Sequence, residues 1–100
     1  MIKIWIDDIR PAPKGYIWIR SVNEAKRFFN SPISKNRVIT LVDLDHDAGD
    51  FASFGGDYIR LLDWFEETGR NYPIRLHSLN PVGIQNMRRI IVRNGWREVK

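Results

Sequence analysis

The chain has 100 residues, 43% of them hydrophobic and 28% charged, which is the size and composition of one globular domain. It contains no cysteine, which excludes a disulfide framework, a thiolate metal site and a thiol nucleophile. The net charge is +4, and no apolar run approaches membrane-spanning length. The N-terminal MIKIWIDD reaches an acidic pair too early for a signal peptide, so we expect one cytoplasmic domain over residues 1–100 that does not enter membranes.

The first predicted elements are two short strands joined by a proline-rich loop. The apolar, β-branched run at 2–6 predicts a buried strand that ends at Asp7 and Asp8. Two prolines and a glycine prevent residues 9–15 from forming a helix, and YIWI at 16–19 predicts a second strand. The chain is therefore expected to pass from the first strand to the second without a helix.

A helix and the longest predicted strand come next. Ser21 has the position of an N-cap, Glu24 completes a capping box three residues later, and the helix ends before Pro32. The run RVITLVDL at 37–44 predicts a strand. That strand delivers the acidic segment LDHDAGD to its C-terminal end.

The second half alternates helix and strand. Residues 57–69 carry apolar side chains at helical spacing and end at a glycine, and residues 73–78 predict a strand. Residues 84–95 repeat the helical pattern, and WREV at 96–99 predicts a short last strand. Strands that alternate with helices in this way predict an α/β domain with a mainly parallel sheet.

Polar residues follow three of the predicted strands. In open parallel sheets, functional sites form just beyond the C-terminal strand ends. We therefore expect three groups of residues to meet at one edge of the sheet: Asp7-Asp8, Asp45-His46-Asp47 and His77-Ser78.

The carboxylates predict a metal site. Asp7, Asp8 and Asp45 repel one another when brought together, and a divalent cation removes the repulsion. Mg²⁺ (or Mn²⁺) suits such oxygen ligands, while the absence of cysteine argues against a structural zinc site. Asp43 and Asp50, taken singly, are more typical of caps and turns. An acidic pocket on a basic chain suits a site that grips a cation and, through it, a phosphate.

The remaining polar residues near these ends predict proton transfer and anion binding. His46 and His77 are the only histidines, and two imidazoles facing one cavity suit an acid and a base. Ser78, Asn80 and the start of the helix near Val82 offer neutral donors to an anion. Arg10 is a candidate phosphate clamp.

Together these residues resemble the receiver domain superfamily of bacterial response regulators. The DD pair matches the receiver metal-binding pair, Asp45 the phosphoacceptor and Ser78 the hydroxyl residue that ends the fourth strand. The resemblance implies a flavodoxin-like three-layer sandwich with a mostly parallel five-stranded sheet of order 2-1-3-4-5, its first helix reduced to the proline-rich loop. The lysine expected after the fifth strand is missing, since none lies between Lys35 and Lys100.

A variant, the cyclic-phosphate-processing receiver-like domain, is similar over longer motifs. The chain reads WIDDIRPAP, LDHDAGD and HSLNPVGIQNM where that family has an IDD-R-P opening, LDHD-G and HS-NP-G-NM. The resemblance implies processing of a cyclic phosphate, in a nucleotide or at an RNA end. It points to eight residues: Asp7, Asp8, Asp45, His46, Asp47, His77, Ser78 and Asn80.

Three functions are compatible with these patterns. The first is a metal-dependent phosphoesterase in which Asp7, Asp8 and Asp45 hold the ion, while the histidines move protons. The second is a signalling module phosphorylated on Asp45, against which the missing lysine argues. The third is a non-catalytic binder of nucleotides or RNA ends that uses the basic second half, although all four tryptophans fit core patterns and are expected to be buried.

Overall fold

A four-stranded parallel sheet of order β2-β1-β3-β4 organises the computed structural model, which describes all 100 residues. The strands are β1 (Ile2–Ile6), β2 (Tyr16–Ile19), β3 (Ile39–Leu44) and β4 (Ile74–Leu76). The helices are α1 (Val22–Phe29), α2 (Pro32–Lys35), α3 (Ile59–Glu67) and α4 (Pro81–Asn94), and a 3-10 turn at Gly49–Ser53 follows β3. The predicted α/β class and parallel sheet are confirmed.

The predicted fifth strand is reduced to one bridge. Glu98 pairs with Ile74 in parallel, and the backbone of Ile74 exchanges only two hydrogen bonds with Arg97 and Val99. The physical reason lies in Trp96, which is buried in the core directly after α4. Only the few residues after Trp96 reach the sheet, and β4, with which they pair, is itself only three residues long.

All the long helices lie on one face of the sheet. Their buried side chains share a single core cluster with Ile4, Ile6, Val42 and Leu44, which by strand alternation point to the same face. Right-handed crossovers explain this, because β2 to β3 and β3 to β4 advance in the same direction across the sheet. The predicted three-layer sandwich is therefore wrong in one respect: the second helical layer is missing, and only the proline-rich loop crosses there.

The second face of the sheet carries aromatic and basic side chains instead of a helix. By alternation with the core-facing isoleucines, Lys3, Trp5, Tyr16 and Trp18 share this face, and the three rings are half-buried. Of the four tryptophans only Trp96 is buried, so the expectation of burial is confirmed for that one alone. None of the helices combines the length and apolar character needed to cross a membrane.

Local signals set the helix ends much as predicted. The Ser21 hydroxyl accepts the Glu24 N–H at 3.0 Å, while the Glu24 carboxylate accepts the N–H of Arg20, one residue before the N-cap. At the end of α4, Gly95 takes the left-handed conformation with φ of 67°. These caps fix where each helix starts and stops relative to the sheet.

The strand ends are held in register by backbone hydrogen bonds that continue past the sheet. The Asp45 N–H donates to the Ile6 carbonyl and the His77 N–H to the Leu44 carbonyl, both at 3.0 Å. The residues that follow β1, β3 and β4 therefore leave the sheet side by side at one edge.

Candidate functional site at the strand ends

Three aspartates form a buried acidic cluster at this edge. Asp7, Asp8 and Asp45 are 1%, 8% and 9% exposed, and one carboxylate oxygen from each lies within 4.8 Å of the others. Burial, followed by the charges of Asp7 and Asp45, raises the pKa of Asp8 above its usual range. The cluster therefore holds more negative charge than its surroundings neutralise, as expected for oxygen ligands of a hard cation.

Asp7 is fixed in place by its neighbours. Its Oδ1 accepts the N–H groups of Ile9 and Arg10 at 2.9 and 2.8 Å, and its Oδ2 lies 2.9 Å from His77 Nε2. Burial alone raises the pKa of Asp7, but these hydrogen bonds outweigh it, and the pKa lies below its usual range. The lowered pKa keeps Asp7 ionised at neutral pH. A carboxylate offers about four lone-pair sites, and the three contacts leave one of them for a cation.

The 3-10 turn after β3 approaches the cluster at Gly49. This glycine has φ of 53°, and a Cβ built on it would overlap the Asp8 carboxylate. Glycine is therefore required twice, for its backbone conformation and for the space that Asp8 occupies.

We expect Gly49→Ala to weaken Mg²⁺ binding about 10–100-fold, because the new methyl group displaces the Asp8 carboxylate without changing any proposed ligand. Isothermal titration calorimetry measures this effect. Gly69→Ala is the matched control, since Gly69 has φ of 69° and nothing within 4 Å of a built Cβ. Equal affinities in the two variants would show that Gly49 only relieves backbone strain.

His77 is clamped between two buried carboxylates. Its Nδ1 lies 2.6 Å from Asp43 and its Nε2 2.9 Å from Asp7, and the ring stacks on Trp5 at 3.7 Å with an interplanar angle of 5°. Both contacts are N–H donations only when both nitrogens carry a proton, as in the imidazolium ion. Both ring nitrogens of His77 therefore contact carboxylates, and neither is free.

Sequence reasoning missed the two residues that hold His77. Asp43 was expected in a cap or turn, but it lies within β3 and is 2% exposed. An aspartate inside an apolar strand needs a partner when buried, and that signal was available. Trp5 pairs in register with Asp43, which places both on the face that His77 reaches.

His46 forms a second group with Asp47 and Asn80. Its Nδ1 lies 3.0 Å from Asp47 Oδ1, and the Asn80 amide nitrogen lies 3.4 Å from both Asp47 oxygens. No buried side-chain nitrogen or oxygen lacks a partner, and His46 Nε2 has none within the chain, so this nitrogen opens to the surface. A carboxylate on Nδ1 with a free Nε2 is the arrangement of an oriented general base.

The start of α4 holds this group in place. Asn80 is the N-cap, and its Oδ1 accepts the Gly83 N–H at 2.9 Å. The His46 ring lies over Gly83 so closely that a Cβ there would be 2.5 Å from Cγ of the imidazole. Asn80 and Gly83 therefore fix the position of the His46 ring. The backbone N–H of His46 donates to Asp45 Oδ1 at 2.7 Å.

The other predicted anion ligands, Arg10 and Ser78, lie at the segment that follows β4. Arg10 is exposed, with Nη1 3.5 Å from the His77 carbonyl, and Ser78 Oγ accepts the Asn80 N–H at 3.1 Å. No hydrogen bond joins the two imidazoles: the backbone N–H of His46 donates to Asp45, and the ring of His77 contacts Asp7. The nine predicted site residues thus gather as an acidic group with His77 and Arg10, and a second group around His46.

Two further residues at the acidic cluster have no counterpart in the sequence prediction. Arg20 donates from Nε and Nη2 to the Asp8 carbonyl at 3.0 and 2.6 Å, and Tyr58 donates its buried hydroxyl to the Arg20 carbonyl. Burial, and then Asp8, Asp7 and Asp45, raise the pKa of Tyr58. Arg20 directly follows β2, so its place at a strand end was the available signal.

Two other features lie near or away from this edge. His46, Asp47 and Asp57 also bring ligand atoms within 4.8 Å of one another, but Asp57 already accepts the Ala48 N–H. The one surface cavity has a volume of about 520 Å³ and lies along α4. Its lining includes none of the predicted site residues and consists of Gln85, Arg88, Arg89, Val92 and Arg93.

Comparison with known families gives one match that covers most of the chain. The family model described as the cyclic-phosphate processing receiver domain matches residues 2–93. No curated protein and no solved structure matches the chain. The matched range includes both groups of site residues.

Proposed function

The chain belongs to the family of cyclic-phosphate processing receiver domains, and we propose that it is a metal-dependent phosphoesterase that opens a cyclic phosphate by hydrolysis. The observation that carries the proposal is the His46–Asp47 pair, in which Nε2 of His46 is free. This pair directly follows Asp45 in the chain, and Asp45 belongs to the buried cluster of three aspartates. The substrate class is a cyclic nucleotide or an RNA end with a cyclic phosphate.

The acidic cluster fits Mg²⁺ or Mn²⁺. Its ligand atoms are all carboxylate oxygens on two adjacent strand ends. Burial, and then the charges of Asp7 and Asp45, raise the pKa of Asp8, and a bound cation would offset both effects. We assign Asp7, Asp8 and Asp45 as the ligands. When bound, the ion supplies Lewis-acid polarisation of a phosphoryl oxygen.

Hydrolysis needs one proton taken and one proton given. A water oxygen forms a new bond to phosphorus, one P–O bond of the ring breaks, and the products are a phosphate monoester and a hydroxyl group. His46 Nε2 takes the water proton, because Asp47 accepts Nδ1–H and so keeps the neutral ring in the tautomer with Nε2 free. The imidazolium then returns that proton to the leaving oxygen.

The other residues position rather than exchange protons in this proposal. His77 orients Asp7, because both its nitrogens already contact carboxylates. This narrows the predicted role of His77, which was that of a second acid or base. Arg10 and Ser78 face the same edge and are assigned to the phosphate oxygens, and Asn80 holds Asp47 and the first turn of α4.

Turnover of 2′,3′-cyclic AMP in the presence of Mg²⁺ tests the proposal. We expect conversion to adenosine monophosphate, detected by ³¹P NMR, and its loss on chelation or on Asp45→Asn. Asp50→Asn is the matched control, because Asp50 is an exposed carboxylate in the same loop whose side chain has no partner. Absence of turnover with Mg²⁺ or Mn²⁺, or full turnover by Asp45→Asn, would refute the proposal.

The second candidate function is phosphorylation of Asp45 as in a signalling receiver. The position of Asp45 beside Asp7 and Asp8 at the end of β3 favours it. Against it, no lysine contacts the cluster, and the only lysine ion pair joins Lys100 to Glu98. A stable acyl phosphate on Asp45 after treatment with acetyl phosphate and Mg²⁺, found by mass spectrometry, would favour this alternative.

A further inference from the structure

Beside the acidic cluster lies a group of aromatic side chains that the proposed reaction does not use. The Arg20 guanidinium lies between the rings of Trp18 and Phe51, with Cζ 4.8 and 4.7 Å from their centroids. The Phe54 ring follows at 6.1 Å from Phe51 and is 54% exposed. We call Trp18, Arg20, Phe51 and Phe54 the aromatic platform.

The aromatic platform is bonded to the backbone of the proposed ion ligands. Arg20 donates two hydrogen bonds to the Asp8 carbonyl, and Trp18 Nε1 donates to the Asp7 carbonyl at 2.7 Å. A single arginine side chain thus spans the gap from Asp8 to the Phe51 ring. The Arg20 guanidinium is thus in contact with both the Asp8 backbone and the Phe51 ring.

The exposed ring of Phe54 stands on a fixed backbone. The Phe54 N–H donates to the Phe51 carbonyl at 2.9 Å, and the Phe54 carbonyl accepts the Asn23 N–H at 3.0 Å. Gly55, with φ of 112°, lies so close to α1 that a Cβ would be 2.7 Å from the Asn23 side chain. Phe54 lies outside the core cluster, so its exposed ring is accessible to a ligand.

We propose that the aromatic platform stacks the base of a nucleotide whose phosphate sits at the acidic cluster. This rests on the proposed function and adds to it a binding site for the base, which a cyclic phosphate without a base could not use. Stacking on an aromatic ring strengthens nucleotide binding about tenfold or more and tolerates any base. Arg20 uses two of its five donors on Asp8, and its remaining N–H groups are available to base or sugar oxygens.

The test compares two probes with the same cyclic phosphate ring, 2′,3′-cyclic AMP and the base-less glycerol 1,2-cyclic phosphate. We expect the protein to favour the nucleotide at least tenfold in kcat/KM, and Phe54→Ala to lower that ratio about tenfold. Phe54→Trp should keep the ratio because it keeps an aromatic face. Ile33→Ala is the matched control, since Ile33 is 57% exposed in α2, which precedes β3 and lies at the opposite edge of the sheet.

The two proposals fail separately. Equal hydrolysis of both probes, or a ratio unchanged by Phe54→Ala, overturns the aromatic platform and leaves the phosphoesterase standing. If neither probe is hydrolysed, the phosphoesterase falls. In that case the affinities of the two probes, measured by calorimetry with Mg²⁺, test the aromatic platform. A preference for the nucleotide that depends on Phe54 supports the platform, and equal affinities overturn it.

Discussion

His46→Asn is expected to lower kcat for a cyclic nucleotide by about 10²–10⁴-fold, the usual contribution of a general base. Asparagine keeps a donor close to the position of Nδ1 and so preserves the contact with Asp47, while it removes Nε2. Binding of Mg²⁺ should not change, because His46 contacts the acidic cluster only through its backbone N–H. Steady-state kinetics and calorimetry on the same preparation measure both quantities.

Chemical rescue separates proton transfer from packing. In His46→Ala the space over Gly83 is empty, and added imidazole should restore part of the lost rate by supplying the missing base. His77→Gln is the contrasting variant, since its loss should weaken Mg²⁺ binding through Asp7 and should not respond to imidazole. A His46→Asn enzyme with wild-type kcat would remove His46 from the chemistry.

Asp8→Asn is expected to stabilise the metal-free protein and to abolish its stabilisation by Mg²⁺. Asp8 is 8% exposed beside two other carboxylates, and the amide has nearly the same shape without the charge. Each kcal/mol of relieved repulsion raises Tm by about 4–8 °C in a domain of this size. Thermal unfolding in EDTA and in excess Mg²⁺ measures the gain and the lost response to the ion.

The gain from Asp8→Asn has a defined pH dependence. Because the folded-state pKa of Asp8 lies above its ordinary value of 3.8, the charged form destabilises the folded, metal-free protein. The penalty is absent below about pH 3.8 and develops as the pH rises through the folded-state pKa. The variant should therefore match the wild type in acid and exceed it at neutral pH.

The comparison has to account for the titration of Asp7 and needs Asp50→Asn as its control variant. The pKa of Asp7 is lowered, so its contribution to stability is lost as the pH falls, but this loss occurs in wild type and variant alike. Asp50→Asn removes an exposed charge from the same loop and should leave Tm unchanged. A lower Tm for Asp8→Asn than for the wild type in EDTA would contradict the claim that the charge of Asp8 destabilises the metal-free protein.

The convergence of polar residues was predictable because it depends on a rule of topology. Parallel strands place their C-terminal ends on one edge, and Asp7, Asp45 and His77 each follow such an end. The sequence motifs identified the family for the same reason, since they consist of these strand-end residues. Both predictions needed only the order of strands and not the positions of side chains.

The division of labour between the histidines was not predictable at that level. It depends on ring partners, which are Asp43 and Trp5 for His77 and Asp47 and Gly83 for His46. To predict the missing helical layer, one would have to know the handedness of each crossover. To predict the truncated fifth strand, one would have to know that Trp96 is buried. These features are set by packing between segments distant in the chain.

A crystal structure with Mn²⁺, located by its anomalous signal, tests most directly whether the acidic cluster is an ion site. The expected result is one ion bonded to carboxylates of Asp7, Asp8 and Asp45, with His46 Nε2 facing its remaining ligand positions. An ion held instead by His46, Asp47 and Asp57, or a cluster that stays empty at saturating Mn²⁺, would contradict it.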